Sequence, residues 1–225
     1  MPFTRPRFKR NNPVAVIGLG RFGGAVAESL VRLGHEVLAV DEREDVVRLW
    51  ADRLTHVVQA DSTDLEAMKH HSIGEFSKVV IGIGTDIEAS VLTVLAVEEA
   101  GAEEIWAKAN NARHGRILER MGAQHVVYPE RALGEQVAHL VTGRMMDFVE
   151  FDNGFALVKT RSPIDCLDKS LAVSAIRTRY GVTVVGVKRP TRDFEPVRAE
   201  TVVGFGDLLI VAGPTASVEK FAALT

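Results

Sequence analysis

Val14-Ala15-Val16-Ile17-Gly18-Leu19-Gly20-Arg21-Phe22-Gly23 decides how the rest of the 225-residue chain is read. Val14 to Ile17 is a short apolar run stopped by glycine, the pattern of a buried strand. Gly18, Gly20 and Gly23 match G-x-G-x-x-G, a spacing that is weak alone and specific when it follows a strand and opens a helix. Arg21 to Leu33 supplies that helix: Phe22, Val26, Leu30 and Leu33 recur at helical spacing and the run stops at Gly34. In this context Gly18 allows the tight turn, Gly20 lets the backbone approach a pyrophosphate, and Gly23 lets helix and strand pack closely. The free N–H groups and partial positive charge of the helix N-terminus then face an anion. Nucleotide binding is the expectation, with an empty vestigial fold as the alternative.

Outward from this stretch the grammar stays regular. Strands are expected at Glu36 to Val40, Val57 to Gln59, Lys78 to Ile83, Glu104 to Ala109 and Gln124 to Tyr128. Helices are expected at Asp45 to Arg53, Leu65 to His70, Glu88 to Ala100 and Ala112 to Arg120. Glu88 to Ala100 reads as a strong amphipathic helix whose face Ala89, Leu92, Ala96 serves either the core or subunit contacts. Strands alternating with helices give a parallel sheet covered on both sides. The fold class is therefore α/β, a Rossmann-like doubly wound parallel sheet over residues 13–143.

After Pro129 the pattern changes. Arg131 to Val141 reads as a helix outside the sheet. Met145 to Glu150 and Phe155 to Thr160 read as two strands around an Asp152-Asn153-Gly154 turn. Lys169 to Tyr180 reads as one helix ended by Gly181, followed by strands at Val182 to Val187 and Leu208 to Val211 and a helix at Ala216 to Ala223. Residues 144–225 are thus a small α+β lobe. Residues 1–12, with Arg5, Arg7, Lys9 and Arg10, read as a flexible basic tail, either a plain leader or a segment that touches an anionic surface or a partner.

Composition narrows the function. The balance of 27 basic and 30 acidic residues, net −3, argues against a nucleic-acid binder. The lone Cys166 excludes an intrachain disulfide and a cysteine-rich zinc site, and reads as structural. No apolar run reaches the roughly 18–20 residues of a membrane span, and the N-terminus lacks a secretory h-region, so a protein of a reducing, aqueous compartment is expected. The seven histidines show no metal-ligand spacing, and surface or half-buried places are expected for most. Neither G-x-S-x-G, nor Walker A, nor an evident catalytic acid–base pair is present.

Several residues carry the candidate site. Asp41 ends the second strand, where an acid hydrogen-bonds ribose hydroxyls and repels a 2′-phosphate; capping the next helix is its other reading. Asp61-Ser62-Thr63 lies at the adenine edge or caps a helix. Gly82-Ile83-Gly84-Thr85-Asp86 follows the fourth strand, at the point where strand order reverses and ligands bind. Arg21 stands in the first turn of a helix, where the macrodipole opposes a cation. A terminal phosphate of ATP or ADP would offset that; a solvated arginine is the alternative. Glu130 after Pro129 is ordinary helix-start chemistry, or a carboxylate helping to hold a divalent ion at phosphates.

With these residues placed, the chain resembles a known family. Residues 18–24, Leu38 to Asp41, Asp61 to Thr63, Ile87 to Ser90, Ile105 to Asn110 and Tyr128-Pro129-Glu130 look like the regulatory subunits of bacterial Ktr/Trk potassium-uptake systems, built from an RCK (KTN) nucleotide-binding N-lobe and a smaller C-lobe. In the C-lobe the likeness rests more loosely on Leu167 to Ser170, Arg177 to Gly181 and Gly206-Asp207. The resemblance implies no catalysis. It implies a homo-oligomer, from dimer to octameric ring, docked from the cytoplasmic side on a membrane-embedded potassium-translocating subunit and gated by nucleotide. It implies Arg21 on the terminal phosphate, Asp41 on ribose, Asp61 and Ser62 by adenine, and Gly84 and Thr85 on the phosphate side. Lys108 and Asn110 extend the site, and Glu130 resembles a family glutamate near the phosphates of a neighbouring subunit, where a divalent cation, Mg2+ or Ca2+, assists. It also implies a cyclic di-AMP site in the C-lobe at Leu171, Ala172 and Arg177. Ala172 and Ala60 stand where the family commonly has a bulkier aliphatic and a glycine. Two other readings of the fold remain beside this one: a small NAD-dependent oxidoreductase or NADH redox sensor, and a metabolite-sensing regulator with a different partner.

Overall fold

A computed structural model describes residues 13–142, 145–151 and 154–225. The basic tail and the Asp152-Asn153 half of the expected turn lie outside the described residues. The chain divides after Glu130 into two units. The lobe boundary read at 143/144 falls on residues outside those described, and the contacts give most of the preceding helix to the second unit.

The first unit holds β1 (Val14–Ile17), α1 (Arg21–Arg32), β2 (Val37–Asp41), α2 (Glu44–Trp50), β3 (His56–Gln59), α3 (Leu65–His70), β4 (Lys78–Ile81), α4 (Ile87–Glu99), β5 (Ile105–Lys108), α5 (Ala112–Arg120) and β6 (His125–Val127), and α6 (Pro129–Thr142) starts in it. All six strands pair parallel in the order β3-β2-β1-β4-β5-β6. β1 is central, and all four of its residues are buried, as its unbroken apolar run requires. On one face Ala15, Ile17, Val79, Ile81 and Ile105 pack with Met68 of α3, Val94 and Val97 of α4 and Leu118 of α5. On the other, Val14, Val16, Val37 and Ala39 pack with Ala27 of α1 and Val46 of α2.

Three expectations change here. β4 ends at Ile81 rather than Ile83, which frees Gly82 to Thr85 as a loop. α6 begins at Pro129, where a missing N–H costs nothing. α4 is not strongly amphipathic. Its buried residues are Ser90, Thr93, Val94, Ala96 and Val97, while Leu92 and Leu95 are exposed, so of the expected face Ala96 serves the core, Leu92 does not, and apolar residues run all round the helix.

The second unit carries β7 (Asp147–Phe151), β8 (Phe155–Arg161), β9 (Lys169–Ser170), α7 (Leu171–Ser174), α8 (Ile176–Tyr180), β10 (Thr183–Lys188), β11 (Phe194–Pro196), β12 (Val202–Val203), β13 (Leu208–Pro214) and α9 (Thr215–Ala223). The main sheet is antiparallel, in the order β11-β10-β13-β8-β7, and β9 pairs with β12 as a separate ribbon. Phe221 and Val218 of α9 pack on Val158, Leu209 and Val211. The single helix expected over 169–180 does not form. Lys169 and Ser170 are held in a strand by Val203 and Val202, and Ala175 at φ 50 breaks what remains into α7 and α8. The short strands β9, β11 and β12 carry no local pattern and arise from pairing alone.

Candidate nucleotide site

The glycine loop is built by close packing. Gly18 sits at φ +84, and a Cβ there would lie 2.9 Å from Ile83 Cγ1. A Cβ on Gly23 would fall 1.9 Å from Gly18 O, and one on Gly82 would fall 2.8 Å from the same atom. The Gly18 N–H donates to Val40 O at 2.8 Å and the Gly82 N–H to Ile17 O at 2.7 Å, so the loop after β1 is tied to β2 and the loop after β4 to the end of β1. Gly20 is different. It caps α1 with no side chain, the first turn of α1 contains no acidic residue, and nothing lies within 4 Å of its Cβ position. The helix therefore presents an open, uncompensated N-terminus.

Asp41, nearly buried at the end of β2, faces this loop. Its Oδ2 accepts from the Leu19 N–H at 2.8 Å and its Oδ1 from the Arg43 N–H at 3.0 Å. The N-cap of α2 is Arg43, so Asp41 is not the cap. Asp61 accepts from the Thr63 N–H at 2.9 Å and the Thr63 hydroxyl at 2.7 Å, and these bonds hold its carboxyl below the usual range. The cap of α3 is Asp64, which accepts from the Glu66 N–H at 2.9 Å, so Asp61 is left facing the cleft. The Ser62 hydroxyl is buried and hydrogen-bonded to Thr93 of α4 at 2.8 Å.

The far end of the cleft is charged. Arg21 is exposed at the start of α1. Lys108, last residue of β5, donates through Nζ to Glu130 Oε1 at 2.6 Å. That bond, with the charge of Arg21 nearby, lowers the Glu130 carboxyl. Asn110 Nδ2 donates to Gly84 O, and a Cβ on Gly84 would lie 3.0 Å from both Asn110 Oδ1 and Lys108 Nζ. Asp86 caps α4 by accepting from the Ala89 N–H at 3.0 Å, a bond worth about 1 kcal/mol.

Together these groups line a cleft of about 490 Å3, within the range of small-molecule sites. Of the residues read from sequence it brings together Gly18, Gly20, Arg21, Phe22, Asp41, Asp61, Ser62, Ile83, Gly84, Thr85, Lys108 and Glu130. Gly23 and Asn110 stand behind the lining and shape it. Thr63, Gly82 and Asp86 of the same sequence segments line it too, and Val40, Glu42, Arg43 and Ala89 complete it. Arg43 and Glu42 directly follow Asp41, the signal that would have found them. The glycine cradle, the open helix end and the paired cations fit a nucleotide. Among the described residues no group of three or more His, Cys, Asp or Glu side chains could hold a metal ion. A divalent ion at Glu130 would take its other ligands from phosphates.

Of the three C-lobe positions, Arg177 alone lines a groove among those described. Arg177 lines a shallow groove with Phe155, Thr183 and Val185. Leu171 and Ala172 lie outside that lining, their N–H groups donating to Thr201 O and Ala199 O, both at 2.9 Å. His114 is buried, the other histidines are exposed or half-buried, and Cys166 is buried with its thiol pushed up by that burial.

A parallel sheet of this order, with a glycine loop at its centre and an acid ending β2, defines a Rossmann-type nucleotide-binding domain joined to an antiparallel α+β unit. The TrkA-N domain matches residues 14–129 and the TrkA-C domain residues 160–225. Ktr system potassium uptake protein C of Bacillus subtilis is 36% identical over 92% of this chain and 94% of its own length. Ktr system potassium uptake protein A of Vibrio alginolyticus is 36% identical over 89% of this chain and 91% of its own. The chain belongs to the TrkA-N/TrkA-C family of potassium-uptake proteins. In fold it is similar to the GsuK RCK domain, with TM-score 0.65, 18% identity and 97% of this chain covered; it spans 49% of that longer chain. The TrkA-N domain of the Escherichia coli inner membrane protein ybaL matches 58% of this chain and 96% of its own, with TM-score 0.52 and 20% identity. Among the described residues no helix is long and apolar enough to cross a membrane.

Proposed function

We propose that this chain is the nucleotide-sensing regulatory subunit of a potassium-uptake system and performs no catalysis of its own. The observation that carries the reading is a cleft with a glycine-bounded helix end and two cations, in a chain 36% identical to Ktr potassium uptake protein C across 92% of its length. The ligand is ATP or ADP. Gly18, Gly20 and the N-terminus of α1 take its inner phosphates, and Arg21 and Lys108 the outer ones. Asp41 takes ribose hydroxyls, since each of its oxygens has accepted a single backbone bond and keeps a lone pair. Asp61, Ser62 and Thr63 lie along the adenine. Glu130 would help to hold a divalent ion, Mg2+ or Ca2+, at the phosphates of a neighbouring copy, where the ion would offset their charge.

The output is conformational. The subunit assembles with copies of itself, up to a ring, and docks from the cytoplasmic side on a membrane-embedded potassium-translocating subunit. A ligand shifts such an assembly only through different affinity for its two states. Ligands that differ by one phosphate provide this when Arg21 grips the extra phosphate in one state, with a coupling of about 1–3 kcal/mol. The second unit serves association, with cyclic di-AMP as its effector at Leu171, Ala172 and Arg177 of paired copies.

Calorimetry with ATP, ADP, NAD and NADH in the presence of magnesium tests this, together with solution scattering of each complex. Tight ATP and ADP binding with different oligomer shapes is the expected result. Tight NADH binding with no response to ATP would replace it with a redox sensor.

A further inference from the structure

Arg43 lines the cleft two residues after Asp41, and the fold fixes its backbone but not its side chain. Its N–H donates to Asp41 Oδ1 at 3.0 Å, and φ −89, ψ 121 is extended backbone that any residue adopts. Arg43 is the N-cap residue of α2 but makes no capping bond. Its Nε stands 3.9 Å from Asp41 Oδ1, beyond hydrogen-bond reach, and the side chain is 60% exposed. The next two arginines in the chain are occupied. Arg48 pairs with Glu44, while Arg53 lies 4.3 Å from the centre of the Trp50 ring and bonds Glu28 Oε1 at 2.7 Å. Among the described residues the Arg43 guanidinium has neither a ring nor a hydrogen bond of that kind.

The surroundings decide what it can take. Asp41, Glu42 and Asp61 line this end of the cleft beside it, three carboxylates to one cation, while Arg21 and Lys108 stand at the phosphate end. An anionic group on the ribose would meet that excess of negative charge; an uncharged aromatic ring would not. Among the described residues Phe22 is the one aromatic side chain in the lining, and it follows Arg21 in the first turn of α1. The planar group available to cover a base at the other end is the Arg43 guanidinium, which can stack on an aromatic face as Arg53 does on Trp50.

We propose that Arg43 recognises the base of the bound nucleotide, its guanidinium lying on the face of the adenine, so that the cleft prefers purine to pyrimidine nucleotides. This rests on the nucleotide reading above and deepens it, adding the face of the base to the contacts of Asp61, Ser62 and Thr63. A purine offers two fused rings to the guanidinium plane and a pyrimidine one, so the contact discriminates between them. The gain is modest, because a side chain that is exposed without ligand loses rotamer freedom when it settles on the base.

The test is calorimetry on the full chain with ADP and UDP, which share ribose and phosphates, at fixed ionic strength. Wild type is expected to prefer ADP. Arg43→Ala changes an exposed side chain and keeps the backbone bond to Asp41, so its melting temperature should stay within about 2 °C of wild type. ADP should bind this variant about 3- to 10-fold more weakly and UDP less than about twofold more weakly. Arg43→Lys keeps the charge without the plane and should lose the preference as Arg43→Ala does. Arg43→Tyr keeps a plane without the charge and should hold the ADP-to-UDP ratio within about threefold of wild type. Equal losses for the two ligands in Arg43→Ala overturn the proposal, and so does a full preference in Arg43→Lys. AMP and its 2′-phosphorylated form supply the last arm. If the extra phosphate tightens binding to wild type and not to Arg43→Ala, Arg43 is a phosphate ligand and the proposal fails. Wild-type protein that binds neither ADP nor UDP removes the nucleotide reading and this inference with it. Binding of both with no preference for ADP removes the inference alone.

Discussion

Asp41 Oδ2 accepts the Leu19 N–H at 2.8 Å, so the acid that ends β2 also fastens the glycine loop that follows β1. Both groups are largely buried, and the other oxygen of Asp41 accepts the Arg43 N–H. The carboxylate is an acceptor on both sides, which an amide cannot reproduce. Asp41→Asn turns an NH2 toward one of the two backbone donors and leaves that donor unpaired, at a cost of about 1–3 kcal/mol. Urea unfolding of the variant should show this loss, and AMP affinity should fall at least about tenfold as the loop loosens. A variant as stable as wild type would mean that the Leu19 bond carries no weight.

Gly20 and Gly23 belong to one motif and should fail in opposite ways. An added methyl at Gly23 meets Gly18 O at 1.9 Å, a backbone atom that cannot give way. Gly23→Ala should cost more than about 3 kcal/mol and unfold or deform the first unit. Gly20 has φ −65 and open space around its Cβ position, so Gly20→Ala should leave the melting temperature within about 2 °C. Its methyl occupies the cleft, and AMP binding should drop by about tenfold or more. Equal loss of stability in the two variants would contradict the packing described.

Arg21 stands where the macrodipole of α1 disfavours a cation, and no acid in that turn offsets it. Arg21→Ala should therefore leave the melting temperature of the ligand-free protein unchanged or slightly raised. ATP should bind about 10- to 100-fold more weakly, the worth of a charge-assisted bond, while NADH changes less than about threefold. Nearly equal losses for the two ligands would make Arg21 a surface residue.

The first unit was legible because its signals are local. The apolar run Val14 to Ile17, the glycine spacing and the helices at Leu65 to His70 and Ala112 to Arg120 are written in short windows, and the structure places them there. Asp41 was legible through its place at the end of β2. Its bond to Leu19 was not, because the partners are brought together only when β1 and β2 pair. The Lys108 to Glu130 bond is likewise a product of the sheet, joining the end of β5 to the start of α6. In the second unit, Lys169 to Tyr180 has helical composition throughout. Pairing with Val202 and Val203 overrides it at one end, and the break at Ala175 has no glycine or proline to announce it.

That break yields its own prediction. Ala175 holds φ 50, ψ 35, a left-handed conformation that costs an L-residue with a Cβ about 1–2 kcal/mol. Glycine adopts it freely but loses more entropy on folding. Ala175→Gly should stabilise the protein by about 0.5–1 kcal/mol in urea unfolding. A destabilised variant would show that the methyl group packs usefully enough to outweigh the backbone.

His114 should make the stability of the first unit sensitive to acid. It is 2% exposed, its Nδ1 accepts the Asn110 N–H at 3.3 Å, and its Nε2 has no hydrogen-bond partner. Burial lowers its pKa from 6.5, so the folded state holds the ring neutral where the unfolded chain would protonate it. Below about pH 6.5 the unfolded state binds more protons, and stability falls as pH falls toward the folded pKa. Protonation at Nδ1 also removes the acceptor for the Asn110 N–H, and Asn110 is the residue that holds Gly84 O in the cleft. His114→Gln has no ring to charge. Between about pH 7.5 and 5.5 its unfolding midpoint in urea should decline less than that of wild type. Parallel declines in the two proteins would assign the acid sensitivity to other groups.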